Sequence, residues 1–328
     1  MKIGNLLVNA AYLGERVLTA IAVGTTKVWE GVSKYIKFKD PVVEQLCMKW
    51  SSDGIGLTPE DAAKMTNIGT TFSQNNNIIH FNEFEKFTGV TSLGTNCFYN
   101  CKSLETIILP NTILSIGANA FLNCTNLTEI DVPDLVRELK DDSSFRGCSK
   151  LSHINISEDS QLEYIGAQSF SGTIIETINI PHKVTHLGTS TFGSCKNLKW
   201  VLLPDGITSI PDSCFISCSM LESINIPAST TNIGVNAFAY CSKISVVLTI
   251  PGGVEEIKSN AFWSCSRVPA FIVLPATPPT FGSTVFNNTG SAPIYVPDES
   301  VEAYKSATNW SAYADRIKPL SEYVEPTN

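Results

Sequence analysis

Between residues 89 and 297 the apolar positions of the chain recur with a fixed spacing. A phenylalanine returns every 22 to 25 residues, and its nine occurrences are Phe98, Phe121, Phe145, Phe170, Phe192, Phe215, Phe238, Phe262 and Phe286. A short stretch of alternating apolar and polar residues follows each of them. A period of this length is typical of a stacked solenoid, in which every coil buries its apolar side against its neighbours.

One unit of the repeat shows which elements the pattern predicts. Ile130 lies between Glu129 and Asp131, which is the two-residue period of a strand with one buried face. Pro133 ends this strand, at a position where its missing backbone N–H costs no hydrogen bond between strands. A second short extended piece precedes each phenylalanine, and we expect its glycine, such as Gly117, to permit a tight turn with positive φ.

Cysteine occupies the position three residues after the phenylalanine in seven units, and threonine replaces it at Thr173 and Thr289. A solenoid stacks equivalent positions, so we expect a reduced interior column of thiols at Cys101, Cys124, Cys148, Cys195, Cys218, Cys241 and Cys265. Disulfides between neighbouring coils remain an alternative, because adjacent rungs of a sheet lie about 4.8 Å apart. A zinc site is disfavoured, because each repeat supplies one thiol.

The landmarks follow the pattern Val-Thr-Ser-x-Gly-x-x-x-Phe-x-x-Cys-x-x-Leu-x-x-Ile-x-Ile-Pro through residues 89–297. This pattern resembles the BspA-like leucine-rich repeats, a family common in gut bacteria and some protists. The resemblance implies a mainly β fold with short helical turns, a right-handed solenoid of about nine units, and an adhesive role. The same family ends as residues 298–328 do, and we expect a C-terminal cap there. We expect Asp298 or Ser300 to be a helix N-cap. The residues expected to cover the last coil are Val301, Tyr304, Trp310, Tyr313 and Ile317.

Residues 37–88 are predicted to form a helical N-terminal cap. Residues 41–50 place Val43, Cys47 and Trp50 on one face of a helix, and Thr58 is the expected N-cap of a second helix. Residues 53–61 resemble a calcium-binding loop that has lost most of its ligands, since a working loop needs carboxylates at alternating positions. The helical cap is the preferred interpretation, and calcium binding stays open as an alternative.

Residues 1–36 are predicted to be a β-hairpin anchoring segment, with two hairpins at residues 12–17 and 23–30. The phrase Val-Gly-x-x-Lys-Val-Trp, residues 23–29, resembles small β modules of phage tail and virion proteins. The N-terminus lacks the pattern of a signal peptide, because Asn5, Asn9, Glu15 and Arg16 interrupt its apolar patch. Farther along, residues 135–160 form an irregular unit, in which we expect a protruding loop at Asp141 and Asp142.

Composition narrows the classes of partner. The net charge of -8 and the pI near 5.1 disfavour nucleic acid, because no basic stripe is present to neutralise phosphates. No apolar run reaches the roughly 18 residues of a spanning helix, so membrane insertion is not expected.

No residue pattern predicts catalysis, a metal site or a cofactor. The histidines are His80, His153, His182 and His186, and the last two flank a strand-like Lys-Val-Thr rather than one face of a helix. The sequence contains neither a nucleophile elbow nor a phosphate loop. We therefore expect a protein that is not an enzyme.

Outward strand positions form the candidate partner-binding surface, because solenoids bind partners over extended sheet faces. Its residues are His153, Asn155, Thr177, Asn179, Trp200, Leu202, Ser223 and Asn225. Trp200 with Leu202 stands out among polar neighbours as a candidate hot spot, although single exposed apolar residues are ordinary. The asparagines of these rows fit either a structural amide ladder or a carbohydrate-facing row.

The first functional hypothesis is a structural or adhesive virion component, of tail or fibre type, that binds a host surface or a neighbouring virion protein. The alternative is a bacterial cell-surface adhesin that binds a surface protein or glycan, and a carbohydrate-active enzyme ranks third. A homo-oligomer or a larger assembly is expected for a virion part.

Overall fold

The chain folds into a stack of coils that each add short parallel strands to the strands of the coil before. The computed structural model describes residues 33–140 and 143–325, and the backbone of four strands at Lys2–Ile3, Leu6–Leu7, Ala20–Val23 and Thr26–Glu30. Every strand pair between residues 80 and 319 is parallel and joins equivalent positions of successive coils. The mainly β solenoid that the repeat period predicts is therefore confirmed.

The strands lie in two rows, which we name the front sheet and the second ladder. The front sheet contains His80–Phe81, Thr106–Ile107, Glu129–Asp131, His153–Asn155, Thr177–Asn179, Trp200–Leu202, Ser223–Ile224, Leu248–Ile250, Phe271–Val273, Ile294–Val296 and Ile317–Pro319. The second ladder, whose strands precede the phenylalanines, contains Ser92–Leu93, Ser115–Ile116, Glu138–Leu139, Tyr164–Ile165, His186–Leu187, Ser209–Ile210, Asn232–Ile233, Glu256–Ile257 and Thr280–Phe281. The front sheet is interrupted after Thr106–Ile107, after His153–Asn155 and after Ser223–Ile224.

Stacked phenylalanine rings form the centre of the core, as the repeat predicts. Phe215 and Phe238 are typical, with ring centroids 5.4 Å apart and planes 2° apart. Such pairs contribute roughly 0.5–1.5 kcal/mol beyond the burial of their area. Phe72 stacks on Phe98 at 5.5 Å, so a tenth ring lies in the segment that the sequence analysis assigned to the helical cap.

The cysteines form a second interior column beside the rings. Each of the seven repeat cysteines donates its Sγ hydrogen to the phenylalanine carbonyl oxygen one coil earlier, at 2.9 to 3.2 Å. Thr173 and Thr289 donate instead to the phenylalanine of their own coil. All ten cysteines of the chain are buried and free. Burial raises the pKa of the Cys218 thiol and raises that of Cys265 to about 12.

The recurring glycine before the repeat phenylalanines, such as Gly117, has a different role from the one that the sequence predicts. Positive φ falls two residues before and two residues after each repeat phenylalanine, for example at Ser213 and Ser217. Gly117 is not among the positive-φ residues, so the expected turn was wrong for this position. A Cβ atom on Gly117 would lie 2.6 Å from the carbonyl oxygen of Leu93. Glycine is needed there because successive coils bring their backbones too close for any side chain.

Asp40 joins the N-terminal helices to the first front strand. It precedes helix Pro41–Cys47 and accepts a hydrogen bond from the N–H of Val42 at 2.9 Å. Its second oxygen accepts from the N–H groups of Ile79 and His80, at 2.6 and 3.2 Å. Burial opposes the ionisation of Asp40, but the backbone donors outweigh it and lower the pKa of the carboxyl. One side chain thus caps a helix and the open end of the front sheet.

The predicted N-cap of the second helix is confirmed. Thr58 precedes helix Pro59–Lys64, and its Oγ1 accepts from the N–H of Asp61 at 3.0 Å. The Asp61 carboxylate accepts in return from the N–H of Thr58, which completes a capping box. Two 3-10 helices, Met48–Trp50 and Asn82–Lys86, complete this end of the stack.

The C-terminal cap buries the aromatic residues that the sequence analysis selected. The side chains of Tyr304, Trp310, Tyr313 and Ile317 are buried, and Val301 packs against the core. Trp310 stacks on Phe281 with centroids 3.8 Å apart. The cap consists of helix Val301–Ser306, the 3-10 helices Asp298–Ser300, Trp310–Arg316 and Leu320–Glu322, and strand Ile317–Pro319.

Of the two N-cap candidates, Ser300 occupies the N-cap position of helix Val301–Ser306 but makes no capping hydrogen bond, and the prediction was wrong for Asp298. Ser300 donates its hydroxyl to the carbonyl oxygen of Ala276 at 2.6 Å, and the helix after it has no side-chain cap. The Asp298 carboxylate accepts from the N–H of Ser321 at 2.9 Å. Both side chains serve contacts between segments, which local spacing does not reveal.

Two strand pairs are described in the N-terminal segment. Ala20–Val23 pairs antiparallel with Thr26–Glu30, so the predicted residues 23–30 hold the last residue of one strand and the whole of the next. Lys2–Ile3 and Leu6–Leu7 form a further antiparallel pair. The hairpin predicted for residues 12–17 lies outside the described residues.

The irregular third unit keeps both rows of strands. Glu138–Leu139 pairs with its neighbours on both sides in the second ladder, and His153–Asn155 pairs with Glu129–Asp131 in the front sheet. Ser157, which replaces the proline, donates its hydroxyl to the Asp134 carboxylate at 2.6 Å. Asp141 and Asp142, where a protruding loop was expected, lie outside the described residues.

Candidate partner-binding surface

The structure brings the eight predicted surface residues together on one face. They occupy outward positions of the front sheet in four successive coils. The residue between the two outward positions of each coil is buried, and these inward residues are Ile154, Ile178, Val201 and Ile224. The eight residues line two neighbouring depressions of this face. Their binding role stays a prediction.

The first depression, of about 1070 Å³, is distinguished by the carboxylates in its lining. His153, Asn155, Thr177 and Asn179 line it, as do the carboxylates of Asp131, Asp134 and Glu176. Asp131 accepts from the amide nitrogen of Asn155 at 2.6 Å. Glu176 pairs with Lys199 at 2.7 Å, on the border of the two depressions.

The second depression, of about 750 Å³, is mostly apolar. Trp200 is 52% exposed and Leu202 is 68% exposed, and both lie on one strand at its rim. Val246 and Val247 line it from the next coil but one. Apolar side chains of two coils thus line one depression, whereas the strands beside Trp200–Leu202 present Thr177, Asn179 and Ser223.

The coil that follows Ser223–Ile224 is one residue longer than the coil before it, at the place where the apolar depression lies. Cys241 is ten residues from Pro251, whereas Cys218 is nine residues from Pro227. Parallel pairing stops at Ser223–Ile224 and resumes only with Leu248–Ile250, so both strands are edges of their sheets. The residues between them, including Val246 and Val247, are displaced from the ladder as in a bulge. Sequence analysis missed this, although the longer spacing was visible.

The asparagine rows do not form an amide ladder. The Asn225 amide nitrogen donates to the carbonyl oxygen of Leu203 at 2.9 Å, and its side-chain oxygen accepts from the N–H of Leu203 at 2.7 Å. Asn155 instead bonds to the Asp131 carboxylate. The Asn225 side chain therefore takes the place of a backbone partner beside the interruption of the sheet.

Trp263, which directly follows Phe262, lies away from these depressions. It is half-buried and contacts the ring of Tyr240, with centroids 5.4 Å apart. Tyr240 is exposed and has a φ of 66°, where most other coils have Asn, Ser or Gly.

The calcium-like loop uses its carboxylates within the protein. The Asp53 carboxylate accepts from Lys34 at 2.9 Å, from the N–H of Ile55 at 3.0 Å and from the Tyr35 hydroxyl at 2.8 Å. These donors lower the pKa of Asp53. Asp61 belongs to the capping box with Thr58. In residues 33–140 and 143–325, no three His, Cys, Asp or Glu side chains converge as metal ligands would. No helix of the described segments has the length and apolar character to cross a bilayer.

A family model for the BspA type leucine rich repeat region matches the chain in six copies. The matched residues are 66–199 and 186–310, which is more than half of the chain. The match begins just before Phe72, the first ring of the stack. No curated protein matches the sequence.

Solved structures similar to the chain are also leucine-rich repeat proteins. A leucine-rich repeat protein of T. pallidum is 32% identical, with 47% of this chain and 72% of that chain covered and a TM-score of 0.45. A leucine-rich repeat protein of Bacteroides ovatus is 21% identical, with 70% and 76% covered and a TM-score of 0.46. A leucine rich cell surface protein of Faecalibacterium prausnitzii is 20% identical, with 75% and 86% covered and a TM-score of 0.33.

Proposed function

Because the chain belongs to the BspA-type leucine-rich repeat family, we propose that it is a non-enzymatic adhesive protein of the bacterial cell surface. It holds a protein partner against the front sheet. Solenoids stack small units into long, continuous faces, and such faces suit partner binding better than chemistry in an enclosed cleft.

The observation that carries this proposal is the apolar patch of Trp200 and Leu202. Single exposed apolar residues are ordinary on protein surfaces. Here two large ones lie on one strand and share a depression with Val246 and Val247, while the adjacent strands present Thr177, Asn179 and Ser223. A contiguous apolar patch with a polar rim is typical of a protein interface, and tryptophan is enriched among the residues that dominate binding energy.

A virion location is the other candidate. It depends on the short resemblance over residues 23–29, and the family model begins only at residue 66. The cell-surface adhesin is therefore our preferred proposal, and the homo-oligomer remains a separate prediction that light scattering can test.

Two measurements test the proposal. Intact cells that express the chain are treated with an external protease, and the adhesin predicts loss of the protein without lysis. Recovery of the protein with purified phage particles would instead support the virion. In the second measurement, the purified chain is tested against immobilised extracellular proteins. The W200A/L202A variant should lose binding, and L114A, which removes an exposed leucine outside both depressions, should retain it.

A further inference from the structure

We infer that the partner presents a basic, extended polypeptide segment with one large apolar side chain, laid across the coils of the front sheet. This inference rests on the proposed function and specifies the chemistry of the partner.

The second depression is the proposed binding site for the apolar side chain of the partner segment. Trp200, Leu202, Val246 and Val247 surround a space of about 750 Å³ at the interruption of the sheet. The rim residues Trp200 and Leu202 are more than half exposed, so much of their apolar surface is still open to solvent. A leucine, phenylalanine or tryptophan side chain of a partner would bury that surface, and full burial of such a side chain contributes roughly 1.5–3 kcal/mol.

The first depression is the proposed binding site for the basic residue of the partner segment, because its charge is complementary. Asp131, Asp134 and Glu176 line it, and among its described lining residues there is no lysine or arginine. Asn155 and Ser157 donate to Asp131 and Asp134 but carry no charge, so these contacts leave the negative charge in place. The exposed ion pair of Glu176 with Lys199 is of the kind that contributes little stability, so Glu176 can exchange Lys199 for a partner cation.

The distance between the two ends follows from the register of the strands. Asp131 pairs with Asn155, and Asn179 pairs with Leu202. Asn155 and Asn179 hold equivalent outward positions on either side of the interruption after His153–Asn155, so Asp131 and Leu202 lie in the same row, three coils apart. Parallel rungs about 4.8 Å apart give a separation on the order of 15 Å. An extended segment rises about 3.4 Å per residue, so the apolar side chain and the basic residue should be about four residues apart.

A second copy of the chain is a poor occupant of this face. The chain carries a net charge of -8, and Glu129 and Glu222 add further exposed acids to the same sheet face. Two such faces brought together would repel each other, whereas a basic segment is attracted.

Selection from a displayed library of random dodecapeptides on the full chain tests the inference. The expected peptides are net positive and place Lys or Arg about four residues from Trp, Phe or Leu. A synthetic copy of the best peptide should lose roughly tenfold or more in affinity for W200A/L202A and for D131N/D134N/E176Q. Its affinity should also fall as salt rises from about 50 to 500 mM.

Matched variants control for composition and stability. L114A removes one exposed leucine elsewhere, and E255Q/E299Q/E302Q removes three exposed acids outside both depressions. Both should bind the peptide as the unaltered chain does, and all variants should keep its melting temperature.

Three outcomes overturn the inference. One is that selection enriches no peptide, and another is that it enriches acidic or uncharged peptides. The third is binding that is insensitive to salt and to D131N/D134N/E176Q. If W200A/L202A still abolishes binding of an extracellular protein in that third case, the proposed function stands and only the basic partner is wrong. If W200A/L202A has no effect on either probe, both proposals fail.

Discussion

The thiol of Cys218 donates a hydrogen bond to the carbonyl oxygen of Phe192, one coil earlier, at 3.1 Å. The same bond joins every repeat cysteine to the coil before it. The cysteine column therefore links neighbouring coils through S–H donors, in addition to filling space beside the phenylalanine rings. Its contribution requires that the thiols stay protonated.

The first prediction concerns alkaline pH. Burial raises the pKa of Cys265 to about 12 and also raises that of Cys218, whereas an unfolded cysteine titrates at roughly 8.5–9. These thiols thus bind protons more tightly in the folded chain, so their contribution to stability is constant below about pH 8.5 and falls as pH rises above it. Each thiol whose pKa is raised in this way adds a slope of up to about 1.4 kcal/mol per pH unit. Denaturant unfolding in reductant at about pH 8 and 9.5 measures the slope, and C265A should reduce it.

The native thiols should also be unreactive. A thiol reagent at about pH 8 is expected to label none of the ten buried cysteines within minutes, and all of them in denaturant. Rapid labelling of a repeat cysteine in the folded chain would mean that the interior column is open to solvent.

The second prediction concerns the ring stack. Phe215 is fully buried and contacts Phe192 and Phe238 at centroid distances of 5.2 and 5.4 Å. Phe215→Ala should lower the free energy of unfolding by about 3–5 kcal/mol, because it removes apolar burial and leaves a cavity. Met220→Ala is the control, since Met220 is 37% exposed on the same coil. Equal denaturation midpoints for the two variants would contradict an interior Phe215.

The third prediction separates two roles of glycine. A Cβ atom on Gly117 would lie 2.6 Å from the Leu93 carbonyl oxygen, whereas one on Gly252 would meet nothing closer than 3.8 Å. Neither residue has positive φ. Gly117→Ala should therefore destabilise the chain by about 1–3 kcal/mol through overpacking, and Gly252→Ala should be neutral or slightly stabilising. A thermal melt of each variant checks the pair.

The fourth prediction concerns Asp40 and acid. Backbone donors, which outweigh the opposing effect of burial, lower the pKa of this carboxyl below its ordinary value. Its stabilisation is therefore present above the unfolded pKa near 3.9 and is lost as pH falls through the lower folded value. Asp40→Asn directs an amide N–H₂ at the N–H of Ile79 or Val42 and should cost about 1–3 kcal/mol near neutral pH. Denaturation series at about pH 3 and 7 should show a smaller pH effect in the variant.

The sequence predicts the interior of this fold well because the same residue type, phenylalanine or cysteine, returns at the same position of nearly every repeat. Phe98 to Phe286 and the cysteines return at positions that only stacking explains, and the structure stacks them. Phe72 escaped notice because its unit has Asn75 at the cysteine position. Ring contacts, rather than the motif, assign it to the stack.

Contacts between distant segments were harder to predict. Gly117 could be placed next to the preceding coil, but the sequence did not show how closely the two backbones approach. Ser300 and Asp298 have the residue types of helix caps, yet their side chains bond to Ala276 and Ser321. The outward residues of the candidate site could be predicted from the alternation of apolar and polar residues along each strand. Its apolar depression lies where strand pairing is interrupted before Leu248, and that alternation does not reveal which strands pair.

The column of rings has a mechanical consequence. Each coil is held by the coil before and the coil after, so tension applied between the two ends of the molecule would detach coils singly from an exposed end. Release of the 23 residues between Phe215 and Phe238 frees on the order of 75 Å of extended chain. A tether built in this way lengthens in steps under load and can rewind when the load is removed.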